Sequence, residues 1–273
     1  MTVRRVQIHE WLYLGIGAAL SVALACVNGW QPLLIETVGL TSAYAWLVCR
    51  AETGGRMRLL GAYVVTWALY ASSSVLVEAL AVPLRHHELL AADVALFGES
   101  PVLALRGVLS PGINDVLSLG YMSYHVYLHW ALLQVVITNK QSVMFGSHLF
   151  SAFAVGICGY LLYPAAPPLT AFPELFFMPL VGGLLTHWNE SLNIAMASRY
   201  DAFPSLHVLI TLTLLAWDWR FFRLRFWIML TPSLLMLAAT LALRLHYAVD
   251  LLAAGLLFLA LQVIYARNQS CSR

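Results

Sequence analysis

The sequence predicts an all-α, polytopic integral membrane bundle of about eight transmembrane helices, and three observations carry that prediction. Of the 273 residues, 61% are hydrophobic and only 10% are charged, whereas a soluble domain keeps about a quarter of its residues charged. The mean hydropathy is +0.78. Eight stretches approach the ~20 mostly apolar residues that a helix needs to cross the hydrocarbon layer. The basic residues also sort largely to one side of those stretches, as Lys and Arg do in short cytoplasmic loops.

The expected spans run near 11–29, 32–49, 59–82, 115–138, 146–163, 203–219, 226–243 and 247–266. The second is the weakest, because it contains Glu36 and is only moderately apolar from Gly39 to Ser42. Arg4 and Arg5 ahead of the first run resemble a signal peptide, and Ala23 to Cys26 is similar to a lipoprotein cleavage box. The run is long enough to span and the chain behind it is itself embedded, so a non-cleaved first helix is the simpler reading.

With eight spans and the N-terminus inside, the inner segments hold Arg4, Arg5, Arg50, Arg56, Arg58, Lys140, Arg220, Arg223, Arg225, Arg267 and Arg273, eleven of the 15 basic residues. Arg85, Arg106, Arg199 and Arg244 fall outside. Dropping the second span would put Arg4 and Arg5 opposite the Arg-rich loops, so the bias keeps it. Both termini are then cytoplasmic, in a plasma or inner membrane, and the long segments 83–114 and 164–202 lie on the outer face.

A net charge of +2 with no basic, aromatic-interleaved stripe excludes a nucleic-acid partner. Cys26, Cys49, Cys158 and Cys271 are widely spaced and form neither a zinc motif nor a disulfide framework. Trp11, Trp30, Trp188, Trp217, Trp219 and Trp227 fall near span ends and fit an aromatic belt. Segment 89–112, broken by Pro101, Arg106 and Pro111, reads as an interfacial helix on the outer leaflet. His86, His87 and His187 fall in outer segments, where solvent contact is the default. His125 and His129 are four apart on one helix face. No third ligand stands at metal spacing, so a buried polar face or headgroup contact is the reading for that pair.

The polar residues near the membrane gather on the outer face, where ionisable groups mark a working site. His207 opens the sixth span, His246 and Asp250 open the eighth, and the fifth ends at Tyr163, followed by Pro164, Pro167 and Pro168. Parity of the spans brings these three positions together. His246 and Asp250 are four apart and share a helix face. Asp250 can accept the proton of one ring nitrogen and leave the other nitrogen free to attack an electrophile. The pair can equally be two buried groups that satisfy each other. In Phe203 to His207, a proline and a serine start a helix whose free N–H groups favour an anion. A histidine there suits proton delivery to a leaving group, or simply an interfacial position on a capped helix.

FPSLH, followed by RLHYAVDLLAAG and preceded about forty residues earlier by YPAAPP, resembles the membrane-bound type 2 phosphatidic acid phosphatase superfamily. The resemblance is closest to the inositol phosphorylceramide synthase (inositolphosphotransferase) branch. Asp93 to Gly98 and Leu119 to His125 are also similar to that branch, so the resemblance covers roughly residues 60–265. It implies an N-terminal transmembrane pair (1–58), a lipid phosphatase or phosphotransferase domain with a six-helix catalytic core (59–267) and a cytoplasmic tail (268–273). It implies that His246 takes the phosphoryl group as a phosphohistidine, that Asp250 orients it, that His207 protonates the leaving oxygen and that Ser205 holds phosphate. It also implies no metal and no cofactor, with a membrane lipid as substrate; the oligomeric state is not specified.

The basic first motif and the Ser-Arg pair of simple phosphatases are missing. Ala239 and Thr240 stand where that pair would be, Leu169 and Thr170 follow YPAAPP without an Arg, and Leu206 replaces the usual glycine. Arg199 and Arg244, the outer cations nearest the two histidines in sequence, are the expected phosphate clamp. They are joined by Tyr163, Pro167 and Pro168 on the substrate side. Hydrolysis and transfer to a lipid hydroxyl both remain open. A lipid transporter or scramblase is the rival from another class, against which the polar residues gather at one face instead of crossing the midplane.

Overall fold

The computed structural model describes residues 5–28 and 32–270; the features expected at Arg4, Trp30, Cys271 and Arg273 lie outside the described residues. Among the described residues the regular structure is helical, apart from one isolated parallel bridge between Ala165 and Asp201. In chain order the helices begin with α1 (Ile8–Asn28), α2 (Pro32–Arg50) and α3 (Arg56–Ala79). Two shorter helices follow, α4 (His86–Phe97) and α5 (Pro101–Ala104), then the long α6 (Pro111–Thr138) and α7 (Ser142–Leu162). After α8 (Pro168–Ala171), a 3-10 turn and α9 (Leu184–Met196), the chain closes with α10 (Leu206–Phe221), α11 (Arg223–Ala242) and α12 (Ala248–Ser270).

All eight expected spans are therefore present as helices, with ends within four residues of those read from the sequence. Six of them, α1, α2, α3, α7, α11 and α12, are long and apolar enough to cross a membrane, which makes this an integral membrane protein. Of the other two, α6 packs along α11 and α9 with an exposed apolar face on its far side, and α10 packs against α7, α11 and α12. At 16 residues, α10 rises only about 24 Å, which matches a helix whose first turn is used for a site. Pro111 at the first turn of α6 suits the start of a helix, and Asn139 ends it in the left-handed region at φ 52.

Packing between helices follows small residues. A Cβ on Gly120 of α6 would stand 2.6 Å from Leu235 Cβ of α11, so that crossing requires glycine. Helix α1 packs on α7 as well as α2, and Tyr13 meets Thr66 of α3 at 2.5 Å.

At one end of the bundle the buried acids are neutralised by arginine. Glu10 pairs with Arg58, both nearly inaccessible, and Asp218 accepts from Arg225 at 2.6 and 2.7 Å and from the Tyr127 hydroxyl at 2.8 Å. Two expectations are corrected here. Trp217 does not join the interfacial belt; it is buried against Phe145 and Phe221, whereas Trp11, Trp188, Trp219 and Trp227 are exposed. Segment 89–112 does not lie as one helix on the leaflet. It breaks into α4 and α5, and α4 docks on α12 with Leu89 and Asp93 buried, because a carboxylate in that apolar stretch finds backbone donors there.

Candidate active site

The end of the bundle opposite Arg58 and Arg225 is assembled from loops that hold one another through their backbones. Ala202 N–H donates to Ala165 O (3.1 Å), joining the YPAAPP turn to the strand-like approach to α10. Ser205 N–H donates to the Asp250 carbonyl (3.3 Å), and Leu169 N–H to the Arg244 carbonyl (3.3 Å). Between α11 and α12 the chain reverses with Arg244 at φ 65, and the N–H groups of Leu245 and His246 both reach Thr240 O at 3.0 Å. Leu89, Ala165, Phe172, Ala202 and Tyr247 form a small separate core beneath these loops. Gly159 allows the approach of the loop before α10, since a Cβ there would collide with the Pro204 ring.

On this scaffold His246 and His207 stand side by side, their ring centroids 5.8 Å apart. His246 Nδ1 lies 2.9 Å from Ala202 O and 3.4 Å from Asp250 Oδ2. A carbonyl oxygen only accepts, so Nδ1 carries the proton and Nε2 keeps its lone pair. Asp250 also accepts from Tyr247 N–H at 2.8 Å, while its Oδ1 is buried without a hydrogen-bond partner.

His207 sits in the first turn of α10, which Ser205 caps by accepting from Val208 N–H at 3.4 Å. Two aromatic rings of α6 hold it: Tyr121 and Tyr124 each have their centroids 4.6 Å from the imidazole, and the Tyr121 hydroxyl is 3.4 Å from Nδ1.

The two histidines open into one cavity of about 80 Å³. Besides them it is lined by Trp67 and Tyr70 of α3, by His125 beside the α6 tyrosines, and by Asn189 and Asn193 of α9, with Pro167 and Asp201 at its loop side. Asp201 accepts from the Tyr70 hydroxyl at 2.6 Å and from Ser198 N–H at 3.2 Å. Burial pushes its carboxyl above the usual range, partly offset by the Tyr70 hydrogen bond and the neighbouring His246. None of the described residues lining the cavity is Lys or Arg.

The residues expected on the substrate side separate accordingly. Pro167 lines the cavity, and Pro168 is buried at the start of α8. Ser205 is fully buried and serves as the cap of α10. Tyr163 donates its hydroxyl to Glu88 at 3.0 Å. Arg199 is on the surface, 69% exposed and paired with Glu78 at 2.9 Å. Arg244 is buried beside the site but directs Nη1 to Met178 O at 2.8 Å, under the Phe176 ring, and burial lowers its guanidinium from the ordinary value. The two histidines of α6 part company: His125 faces the cavity, its ring 6.4 Å from that of His207, whereas His129 Nε2 meets the Tyr63 hydroxyl at 2.9 Å.

The sequence assigned no site role to four contributors. Tyr121, Tyr124 and Asp201 touch the histidines or the cavity from other elements, and Asp93 of α4 reaches the backbone of α12. The available signals for Asp93 were its place at the head of the Asp93 to Gly98 resemblance and its being a single acid within the apolar run from Leu89 to Phe97.

A family model described as the PAP2 superfamily matches residues 87–264, which takes in His207, His246, Asp250 and Asp93 but not the α3 residues Trp67 and Tyr70 of the cavity. No curated protein and no solved structure matches the chain.

Proposed function

The chain belongs to the PAP2 superfamily, a family of phosphatase and phosphotransferase type, and on that premise we propose that it acts on the phosphate ester of a membrane lipid through a phosphohistidine on His246. The observation that carries the reading is the pairing of two histidines over one cavity, one of them with its free nitrogen defined. With Nδ1–H directed to Ala202 O, Nε2 of His246 is the nucleophile.

Its lone pair attacks phosphorus, an N–P bond forms and the ester P–O bond breaks. His207, in protonated form, gives its proton to the departing alkoxide. Asp250, 3.4 Å from Nδ1, stabilises the positive charge that grows on the His246 ring. In the second step water or an alcohol attacks phosphorus, loses its proton to neutral His207, and the N–P bond breaks. Both histidines return to their starting states.

The tyrosine, asparagine and histidine donors around the cavity are the candidates for holding the phosphate oxygens. Ser205 acts through the helix cap, and Arg244 acts from behind the loop that carries His246. The orientation follows from the basic residues: the Arg-rich end faces the cytoplasm and the histidine site faces outward. Single cysteines at Glu190 and Arg223 test this. Outside labelling of the first alone by an impermeant thiol reagent supports it, and outside labelling of the second reverses it.

Transfer to a lipid hydroxyl, as in the inositol phosphorylceramide synthase branch, is the finer reading. The resemblance of Asp93 to Gly98 and Leu119 to His125 favours it. The test is product partition by the purified protein with a labelled phospholipid and rising alcohol acceptor. Label entering a new lipid in proportion to acceptor supports transfer. Free phosphate or headgroup phosphate at every acceptor concentration supports hydrolysis, and no product from any lipid phosphate ester removes the reading altogether.

A further inference from the structure

We propose that Asp93 is a positioning residue for His246: a carboxylate delivered from α4 that caps α12 and fixes the register of the His246 and Asp250 pair. This inference rests on the reading of His246 as the nucleophile. Asp93 is fully buried. Its Oδ1 accepts from Val249 N–H at 2.9 Å, and its Oδ2 from Ala248 N–H at 3.1 Å and from the Ser100 hydroxyl at 2.5 Å. Ser100, at the start of α5, is also fully buried.

These bonds answer a need that the local sequence leaves unmet. The first turn of a helix has N–H groups without intrahelical partners, usually taken by an Ser, Thr, Asp or Asn just before it. The residue before α12 is Tyr247, whose hydroxyl is committed to Ala166 O at 3.2 Å. The cap comes instead from an acid 155 residues earlier in the chain. Its negative charge sits at the positive end of the helix dipole, which stabilises both.

The consequence for the site is geometric. Ala248 and Val249 are the second and third residues after His246, and Asp250 closes the same turn by accepting from Tyr247 N–H. With Ala248 and Val249 tied to Asp93, the turn holds the His246 ring between Ala202 O and Asp250. If that tie is cut, the turn can fray and the ring loses its aim. The support is itself anchored, since Arg85 N–H donates to Pro164 O at 2.8 Å and Leu89 packs in the small core with Tyr247. A ligand-holding group supported this way is preorganised before substrate arrives.

The test uses the full-length protein with Asp93→Asn, which keeps size and one acceptor oxygen but turns an NH2 toward a backbone donor. Asp218→Asn, at the other end of the bundle, is the control for general loss of a buried acid. In Asp93→Asn, kcat and the rate of phosphoenzyme formation should fall about 100-fold, the scale of a misaimed catalytic group, with KM little changed. Amide exchange at Ala248 and Val249 should accelerate. Asp218→Asn should show neither effect per folded molecule. Ser100→Ala leaves both backbone bonds and should give a smaller change of the same kind; it carries the exchange test if Asp93→Asn does not fold. Wild-type kcat in Asp93→Asn, a change confined to KM, or unchanged exchange in the variant that folds would overturn the proposal. Exchange is read without substrate. A wild-type protein that forms no phosphoenzyme while the variants still speed exchange would therefore defeat the nucleophile reading and leave the cap standing.

Discussion

The two ends of this bundle treat buried carboxylates in opposite ways. At the basic end, Glu10 and Asp218 each receive a guanidinium, from Arg58 and Arg225, and the charges cancel in place. At the histidine end, Asp93, Asp201 and Asp250 are held by backbone N–H groups, hydroxyls and an imidazole, and among the described residues no Arg or Lys pairs with any of the three. A neutralised pair is a fixed strut. An acid balanced by dipoles keeps a field that acts on its neighbours, which is what a histidine about to become positive requires. Under the proposed function the difference gives stability to one end and chemistry to the other, and substitutions can separate the two.

The largest effect is expected at His246. His246→Ala should lower turnover by at least about 10⁴-fold, as removal of a nucleophile does, with the melting temperature in detergent close to wild type. Near-normal turnover would dissolve the contrast at its centre. At the other end, Arg225→Ala leaves Asp218 buried with the Tyr127 hydroxyl but without its cation. A loss of about 3–5 kcal/mol of stability is expected, with kcat per folded molecule retained. A specific fall in kcat would show that the basic end also serves catalysis.

Asp201 gives a subtler effect with a definite sign. Its folded carboxyl holds its proton more tightly than the unfolded value near 3.8, chiefly through burial. The native state therefore binds more protons across that window, and stability from this group is full below the unfolded value and declines as pH rises toward the folded one. Thermal midpoints recorded from pH 3 upward should show that decline, and Asp201→Asn should flatten it. A steeper slope in the variant would contradict the burial argument. The smallest effect belongs to Arg199, paired with Glu78 on the surface. Arg199→Ala should leave kcat/KM within about twofold, the usual reach of an exposed substitution, whereas a large loss would return it to the phosphate site.

The contrast also marks what the chain made legible. Hydrophobic length alone located all eight long helices, because the membrane imposes the same requirement on each. Parity then brought Pro167, His207 and His246 to one end, as observed, and the four-residue spacing placed Asp250 beside His246. What escaped were the individual side-chain contacts that no spacing announces. Asp93 caps a helix 155 residues away, a distance that leaves no periodicity to read. Tyr121 and Tyr124 fell in a stretch noted only for its resemblance, with no role assigned, although their rings enclose His207. Arg199 and Arg244 were chosen for sequence proximity to the histidines, but an exposed acid and a loop carbonyl hold their side chains instead.

The central claim is that the uncompensated end carries a covalent step on His246. It is tested most directly by incubating the purified protein with a lipid substrate radiolabelled at phosphorus, quenching within the first turnover and mapping the bound label. Acid-labile, alkali-stable label on the peptide containing His246, absent from His246→Ala, is the predicted result. Label on another residue, or turnover with no bound label at any quench time, would contradict it.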